Sequence, residues 1–126
     1  MDELLWYIIA MIASIIIHEF GHYAGFRAYK IKPRLKFRLT AITIGENEMY
    51  ALNSSQAVVV GFAGIIPGLV IITAMANNFT LTLIYLLACC YDIAVVSMYI
   101  STWKDPTPIY KIDLERLKRL EEVLQK

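Results

Sequence analysis

The sequence is poor in cysteine, and its two cysteines, Cys89 and Cys90, are neighbours in the chain. A disulfide between adjacent residues would be strained, because such a bond normally joins α-carbons that lie further apart. No disulfide framework of the kind found in small secreted domains is therefore predicted. The N-terminus also lacks a basic segment and a small-residue cleavage site, so we expect the first apolar run to stay in the mature protein.

An excess of charge of one sign is also lacking. The 126 residues include 12 Lys and Arg and 11 Asp and Glu, which gives a formal net charge of +1. Proteins that bind nucleic acid usually carry a marked basic excess, so no nucleic-acid partner is predicted. The sequence contains no internal repeat, phosphate-binding loop or low-complexity segment.

Apolar residues are abundant and make up 58% of the chain. This fraction is too high for an ordinary soluble domain of this length, and about 20 apolar residues suffice to cross a bilayer. We predict a membrane α-helical protein with three transmembrane helices, over 4–26, 57–76 and 80–103. Residues 1–103 would form the membrane core, and 104–126 a cytoplasmic amphipathic tail.

Basic residues cluster directly after the first predicted span, at Arg27, Lys30, Lys32, Arg34, Lys36 and Arg38. Cytoplasmic loops of membrane proteins carry an excess of Lys and Arg, so this end of the span is predicted to face the cytoplasm. We therefore expect an integral multi-pass membrane protein with its N-terminus outside. The 27–52 loop and the C-terminus would both be cytoplasmic.

The loop between the first two spans has a pattern of its own. Basic and apolar residues alternate with a period of two over 34–44, which indicates a strand with one polar and one apolar face. A turn over 45–48 and a returning strand over 49–52 would complete a short membrane-associated β-hairpin within 34–52. A plain basic loop is the alternative. An edge strand here would be able to accept an extended peptide through main-chain hydrogen bonds.

Two further patterns concern the second span and the tail. Asn53 and Gln56 are spaced as in a capping box, so a helix is expected to begin there. Small residues then form a stripe that allows another helix to approach closely; they are Ala57, Gly61, Gly64 and Gly68. In the tail, leucines recur every three or four residues, at Leu114, Leu117, Leu120 and Leu124. They predict an amphipathic helix of about three turns that lies on the membrane or pairs with another helix.

The first span contains the sequence His18-Glu19-Phe20-Gly21-His22, which puts ionisable groups in an apolar run. Such groups are costly at membrane depth and usually have a function. On a helix, His18 and His22 lie on one face and can direct ring nitrogens at one metal ion. Glu19 lies about 100° around the helix, where it can reach a water bound to that ion. Zinc suits two imidazoles, a third ligand and an open position, and it makes the bound water easier to deprotonate. The alternative is a polar patch that joins helices by hydrogen bonds.

Asp92 is the one charged residue in the third predicted span. A lone carboxylate at membrane depth needs a partner, which a metal held by the two histidines would supply. Cys89 shares the helix face of Asp92, so its thiolate is a second candidate for the third ligand. The alternatives are a hydrogen bond from Asp92 to a Tyr or Ser side chain and a small buried apolar role for Cys89.

Residues 4–103, with the motif His18-Glu19-Phe20-Gly21-His22 in the first span, resemble the site-2 protease family of intramembrane zinc metalloproteases. The resemblance implies a core of three transmembrane helices, with the motif on the first helix and a liganding Asp on the third. It also implies a membrane-associated β-structure that receives the substrate as an added strand.

Carried over to this sequence, the resemblance implies that His18 and His22 are zinc ligands and that Glu19 is the general base. Asp92 would be the third ligand. In the family this Asp stands in the context Asn-x-x-Pro-x-Pro-x-Leu-Asp-Gly, whereas residues 84–91 here read Ile-Tyr-Leu-Leu-Ala-Cys-Cys-Tyr. The Asn, both Pro and the Gly, which are expected to open the helix and hold substrate, are missing.

We therefore predict a zinc-dependent intramembrane endopeptidase that hydrolyses a peptide bond in or near a transmembrane segment of a substrate protein. Its partners would be the lipid bilayer and that substrate, added as a strand to the 34–52 hairpin, and a homo-oligomer is compatible with the sequence. One alternative is a non-catalytic membrane metalloprotein that binds or regulates a partner membrane protein. The missing residues near Asp92 favour it, and the intact Glu19 disfavours it. A metal-free structural membrane subunit is the second alternative.

Overall fold

The computed structural model describes residues 2–37 and 42–126. Within these residues the chain forms five α-helices, a short 3-10 helix and a two-stranded antiparallel sheet. In chain order they are α1 (Glu3–Ala28), β1 (Leu35–Phe37), β2 (Ile42–Ile44), the 3-10 helix (Glu48–Ala51), α2 (Ser54–Ala76), α3 (Phe79–Ala88), α4 (Cys90–Ile100) and α5 (Ile109–Leu124). The prediction of a mostly helical fold with a small β-structure between the first two long helices is confirmed.

Each of the two long helices begins at a capping residue. The Asp2 carboxylate accepts a hydrogen bond from the Leu4 amide at the start of α1. At α2, the Asn53 side chain accepts from the Gln56 amide, and the Gln56 side chain accepts from the Asn53 amide. The predicted capping box is therefore confirmed, and it satisfies amides that the first turn of a helix leaves without partners.

Glycines allow α1 and α2 to pack closely against each other. A Cβ atom at Gly21 would overlap the backbone carbonyl of Ala63, and one at Gly25 would lie 3.2 Å from the α-carbon of Val60. Backbones can come this near only where a side chain is missing. The close packing places the middle of α1, which carries the two histidines, directly against α2.

Within the described part of the chain, α1 and α2 are each long and apolar enough to cross a membrane. The consecutive helices α3 and α4 pass the same test together, but they are bent by 62° relative to each other. Large apolar side chains are exposed along these helices, for example Ile16 and Val70. The fold is therefore compatible with a membrane protein.

The predicted third span, 80–103, is not one straight helix. The chain bends at Cys89, between α3 and α4, although no glycine or proline occurs between residues 79 and 100. Sharp bends usually arise at such residues or where a side chain disturbs the helix ladder. Here Tyr85 of α3 bonds both to α2 and to His18 of α1, and Asp92 of α4 also bonds to His18. We attribute the bend to these tertiary contacts.

The β-structure is smaller than predicted. β1 and β2 pair with each other in antiparallel register, with Leu35 opposite Ile44, so the stretch 34–44 is not one strand. Residues 38–41 of that predicted strand lie outside the described residues. The returning strand predicted over 49–52 is wrong, because Glu48–Ala51 forms the 3-10 helix. Alternation with a period of two cannot distinguish one long strand from two short paired strands.

The tail forms a longer helix than the three turns predicted, since α5 has 16 residues. Its first turn is anchored: the Ile109 amide donates to the Leu52 carbonyl, and the Tyr99 hydroxyl donates to the Asp113 carboxylate. Ile109 is fully buried. The four leucines of the predicted apolar face lie on this helix, and each is more than half exposed; they are Leu114, Leu117, Leu120 and Leu124.

Candidate metal centre

Three side chains that commonly bind metals meet between α1, which carries His18 and His22, and α4, which carries Asp92. The Nε2 atoms of His18 and His22 lie 2.9 Å apart. The Asp92 Oδ2 atom lies 2.9 Å from the first of these nitrogens and 3.2 Å from the second. Among the described residues, these three form a group that could hold a metal ion.

Both histidines are buried, each with 6% of its surface exposed. Asp92 and Glu19 are less enclosed, with 24% and 22% of their side chains exposed. The group therefore has a closed side, formed by the imidazole rings against α2, and a more open side that carries the carboxylates. An ion in this position would be held from within the bundle and reached from the carboxylate side.

The hydrogen bond at the far side of the His22 ring fixes its tautomer. Its Nδ1 atom lies 2.9 Å from the backbone carbonyl oxygen of Val60. A carbonyl oxygen can only accept, so Nδ1 carries the proton and donates it. In a neutral imidazole the other nitrogen then has a free lone pair. The Nε2 lone pair of His22 is thus directed at His18 and Asp92.

His18 has a corresponding partner, supplied by a side chain. Its Nδ1 atom lies 2.9 Å from the Tyr85 hydroxyl oxygen, and that hydroxyl donates its own proton to the Ile65 carbonyl at 3.0 Å. Because a hydroxyl has a single proton, the Tyr85 oxygen must accept from Nδ1. The Nε2 atom of His18 therefore also presents a lone pair to the group.

Three hydrogen-bond acceptors consequently face one another across distances of 2.9–3.2 Å. Two are imidazole lone pairs, and the third is a carboxylate oxygen. Such atoms repel one another, and the repulsion is stronger inside a protein than in water. A cation between them, either a proton or a metal ion, removes the repulsion. The arrangement therefore has the chemistry of a cation site.

Cys89, the other candidate for the third ligand, lies outside this group. Its Sγ atom is 3.6 Å from Nδ1 of His18, the ring nitrogen that points away from His22 and Asp92. The structure thus brings Asp92, and not Cys89, to the two Nε2 atoms. The alternative that Asp92 bonds to Tyr or Ser side chains is not what the structure contains, because its carboxylate faces the imidazoles.

Glu19 lies beside the group without being part of it. Its Oε1 atom is 3.8 Å from the Nε2 atom of His18, which is beyond hydrogen-bonding distance. Glu19, both histidines and Asp92 line one cavity of about 350 Å³. The lining also includes part of the segment after β1, namely Thr43, Ile44, Gly45, Glu46 and Met49. The candidate metal ligands and β2 thus line the same cavity.

No sequence pattern connects α2 with the histidines, although α2 contacts His22 directly. A Cβ atom at Gly64 would lie 2.5 Å from Nε2 of His22, so this glycine makes room for the ring. The Val60 carbonyl and the Tyr85 hydroxyl were also missed as partners. The available signals were weak: Gly64 belongs to the small-residue stripe, and Tyr85 shares a predicted helix face with Asp92.

Comparison with known proteins identifies no relative: no protein-family model, no curated protein and no solved structure matches the chain.

Proposed function

We propose that the protein is a zinc-dependent intramembrane endopeptidase. His18, His22 and Asp92 would bind the metal, and Glu19 would be the general base. The observation that carries the proposal is the convergence of three acceptor atoms, two imidazole nitrogens and one carboxylate oxygen, in the lining of a cavity. A further carboxylate, that of Glu19, lies beside them without being a ligand. A purely structural polar cluster has no need of this additional acid.

The donor atoms fit zinc. Bonds of about 2.0–2.1 Å in a tetrahedral arrangement put neighbouring donors about 3.3 Å apart. The separations of 2.9–3.2 Å require only a small outward shift of the side chains. Two imidazoles and one carboxylate are a common donor set of catalytic zinc, which keeps a further position open, whereas Mg²⁺ and Ca²⁺ prefer oxygen ligands alone.

Zinc bound at such a site supplies a Lewis acid, which lowers the pKa of a water molecule and polarises a peptide carbonyl. In the proposed mechanism Glu19 takes the proton of the attacking water and later gives it to the leaving amine. Glu19 lies 3.8 Å from the nearest ligand nitrogen, so it is not itself a ligand and can reach a water in the cavity. Asp92 balances part of the positive charge.

The cavity indicates how a peptide would be bound. Its lining includes apolar side chains of three helices, Phe26, Val60 and Val95, which suit an apolar segment. β2 also contributes to the lining; it pairs with β1 on one edge, and no other strand of the described residues pairs with it. An extended peptide can add to such an edge through main-chain hydrogen bonds. We therefore propose a transmembrane protein as the substrate, locally unwound beside β2.

We also propose the membrane arrangement. α1 and α2 would each cross the bilayer, and the bent pair α3–α4 would form a broken third span. The basic residues after α1 support an outside N-terminus, with the 27–52 loop and the C-terminus in the cytoplasm. His18 lies ten residues from the end of α1, or about 15 Å at the rise of an α-helix. In the proposed arrangement this distance would put the site at membrane depth.

The proposal is tested by comparing Glu19→Gln with the wild type. Both proteins are purified in detergent, analysed for zinc, and placed in liposomes with single-span test proteins of differing helix stability. New termini are detected by mass spectrometry. We expect about one zinc per chain in both proteins and cleavage by the wild type alone. Glu3→Gln is the matched control, since Glu3 lies on the same helix outside the cavity, and it should cleave normally.

Cleavage that persists in Glu19→Gln would refute the role of Glu19. Zinc in the wild type without cleavage of any test protein would instead favour the non-catalytic membrane metalloprotein, whose site recognises a partner. A wild type that binds no zinc after reloading would favour the structural subunit.

A further inference from the structure

We propose that Tyr85 is a positioning residue for the metal ion. Its hydroxyl would hold the His18 imidazole in the tautomer, and in the orientation, that present Nε2 to His22 and Asp92. This inference rests on the proposed metal site and extends it to a residue that belongs to no ligand motif. It concerns metal binding and is therefore testable without a substrate.

The Tyr85 hydroxyl takes part in two hydrogen bonds whose directions follow from the atoms that they join. The Tyr85 hydroxyl donates to the Ile65 carbonyl at 3.0 Å, which uses its one proton. The oxygen can then only accept from His18, whose Nδ1 lies 2.9 Å away. An Nδ1 atom that carries a proton leaves Nε2 as the atom with the lone pair. The carbonyl of α2 thus determines, through Tyr85, which nitrogen of His18 faces the metal position.

The Tyr85 hydroxyl is held in place on all sides. The residue is 1% exposed, and its ring meets the His18 ring edge-on, with centroids 5.9 Å apart. On the α2 side, a Cβ atom at Gly68 would overlap the hydroxyl and would lie 2.6 Å from the ring carbon that carries it. Gly68 therefore leaves the space that the hydroxyl fills. A group enclosed in this way can impose an orientation on its partner.

The two histidines are positioned by different kinds of atom. His22 donates to a backbone carbonyl, that of Val60, which no substitution removes. His18 donates to a side chain, so its orientation depends on one residue that can be changed. The second atom near Nδ1 of His18 is the Cys89 sulfur at 3.6 Å, which is a weaker acceptor than a hydroxyl. Removal of the Tyr85 hydroxyl should therefore disturb the orientation of His18.

Tyr85→Phe removes the hydroxyl and keeps the ring. Loss of a hydrogen-bond partner of a metal-binding histidine typically weakens metal affinity about 10–100-fold. We expect that loss here, measured as the dissociation constant for Zn²⁺ by competition with a chelator in detergent. Tyr99→Phe is the matched control, because Tyr99 is also buried and donates to Asp113, away from the metal group. It should bind Zn²⁺ as the wild type does.

Cys89→Ala tests the sulfur near His18 independently of the Tyr85 hydroxyl. It should leave the dissociation constant for Zn²⁺ close to that of the wild type. A second measurement needs no variant. The chain has only two histidines, so nitrogen NMR of the zinc-loaded protein, labelled at histidine, is readily assigned. Both rings should carry the proton on Nδ1.

Zinc binding by Tyr85→Phe with wild-type affinity would overturn the inference, as would ligation of zinc by Nδ1 of His18. A stronger effect of Cys89→Ala than of Tyr85→Phe would transfer the positioning role to the sulfur and overturn it as well. These results all presuppose a wild type that binds zinc. A wild type that binds none would contradict the metal site itself, and zinc without cleavage would contradict the peptidase alone, so each failure is distinguishable from failure of this inference.

Discussion

α1 and the pair α3–α4 both contribute to the candidate metal centre, but they do so in different ways. α1 is one uninterrupted helix of 26 residues, and its two histidines lie on one face because they are four positions apart. The pair α3–α4 is bent by 62°, with Tyr85 before the bend and Asp92 after it. Local helical geometry places the first two ligands, whereas tertiary packing places the third.

α2 lies between these two regions and contributes no ligand. It nevertheless contacts both, through the Val60 carbonyl at His22 and the Ile65 carbonyl at Tyr85. Two of its glycines, Gly64 and Gly68, leave the space for the side chains concerned. A helix without any metal-binding side chain can therefore determine the geometry of a metal site.

Removal of a ligand from either region should have the largest effect. We expect His22→Ala and Asp92→Ala each to reduce zinc content from about one per chain to near zero, since a site of three protein ligands does not retain the ion with two. The measurement is metal analysis of detergent-purified protein. Zinc lost in His22→Ala and kept in Asp92→Ala would mean that α4 contributes no ligand and would return Cys89 to consideration.

A substitution that forces α1 away from α2 should have the next largest effect, in this case on the stability of the protein. In Gly21→Ala the new Cβ atom would overlap the Ala63 carbonyl, and a backbone atom cannot move aside alone. We expect destabilisation at the upper end of the about 1–3 kcal/mol typical of overpacking, which exceeds the gain in helix propensity of about 1 kcal/mol. Thermal unfolding in detergent measures it. Gly25→Ala, with contacts of 3.2–3.4 Å, is the graded control and should cost less; an equal or larger cost there would contradict the packing argument.

Displacement of the His22 ring should have a smaller effect, which is confined to zinc affinity. In Gly64→Ala the Cβ atom would lie 2.5 Å from Nε2 and 2.6 Å from Nδ1 of that ring. We expect zinc affinity to fall about 10–100-fold, as when the orientation of a ligand is lost. In the control, Gly61→Ala, the new carbon would meet Val96 and no ligand. Equal zinc affinities of the two variants would show that Gly64 does not position His22.

A substitution at the bend should have the smallest effect. Cys89→Ala increases helix propensity at the junction of α3 and α4, but the contacts of Tyr85 and Asp92 remain. Because Cys89 is 2% exposed, loss of its sulfur leaves a small cavity. We expect a destabilisation of about 1 kcal/mol and an unchanged bend. The bend is measured as the distance between spin labels carried by non-natural amino acids at positions 83 and 98, so that the reference protein keeps Cys89. A longer distance in Cys89→Ala would mean that the cysteine, and not the tertiary contacts, causes the bend.

Several features of the fold could be predicted because each depends on neighbouring residues alone. The capping box at Asn53 and Gln56 needs only a spacing of three, and the long helices need only continuous apolar runs. The internal arrangement of 34–52 could not be predicted, because pairing of β1 with β2 depends on register across a turn. The bend at Cys89 could not be predicted either, since no glycine or proline marks it.

The sequence by itself determined the helices of the proposed membrane core and the spacing that puts His18 and His22 on one face, with Glu19 beside them. Helical periodicity is a local property, so a short stretch is sufficient to define it. Only the tertiary structure decided that Asp92 completes the group, that Cys89 does not, and that Tyr85 and α2 orient the imidazoles. Those outcomes depend on how closely α1 and α2 pack and on where α3 bends into α4. They are set by contacts between residues far apart in the chain, which local patterns do not encode.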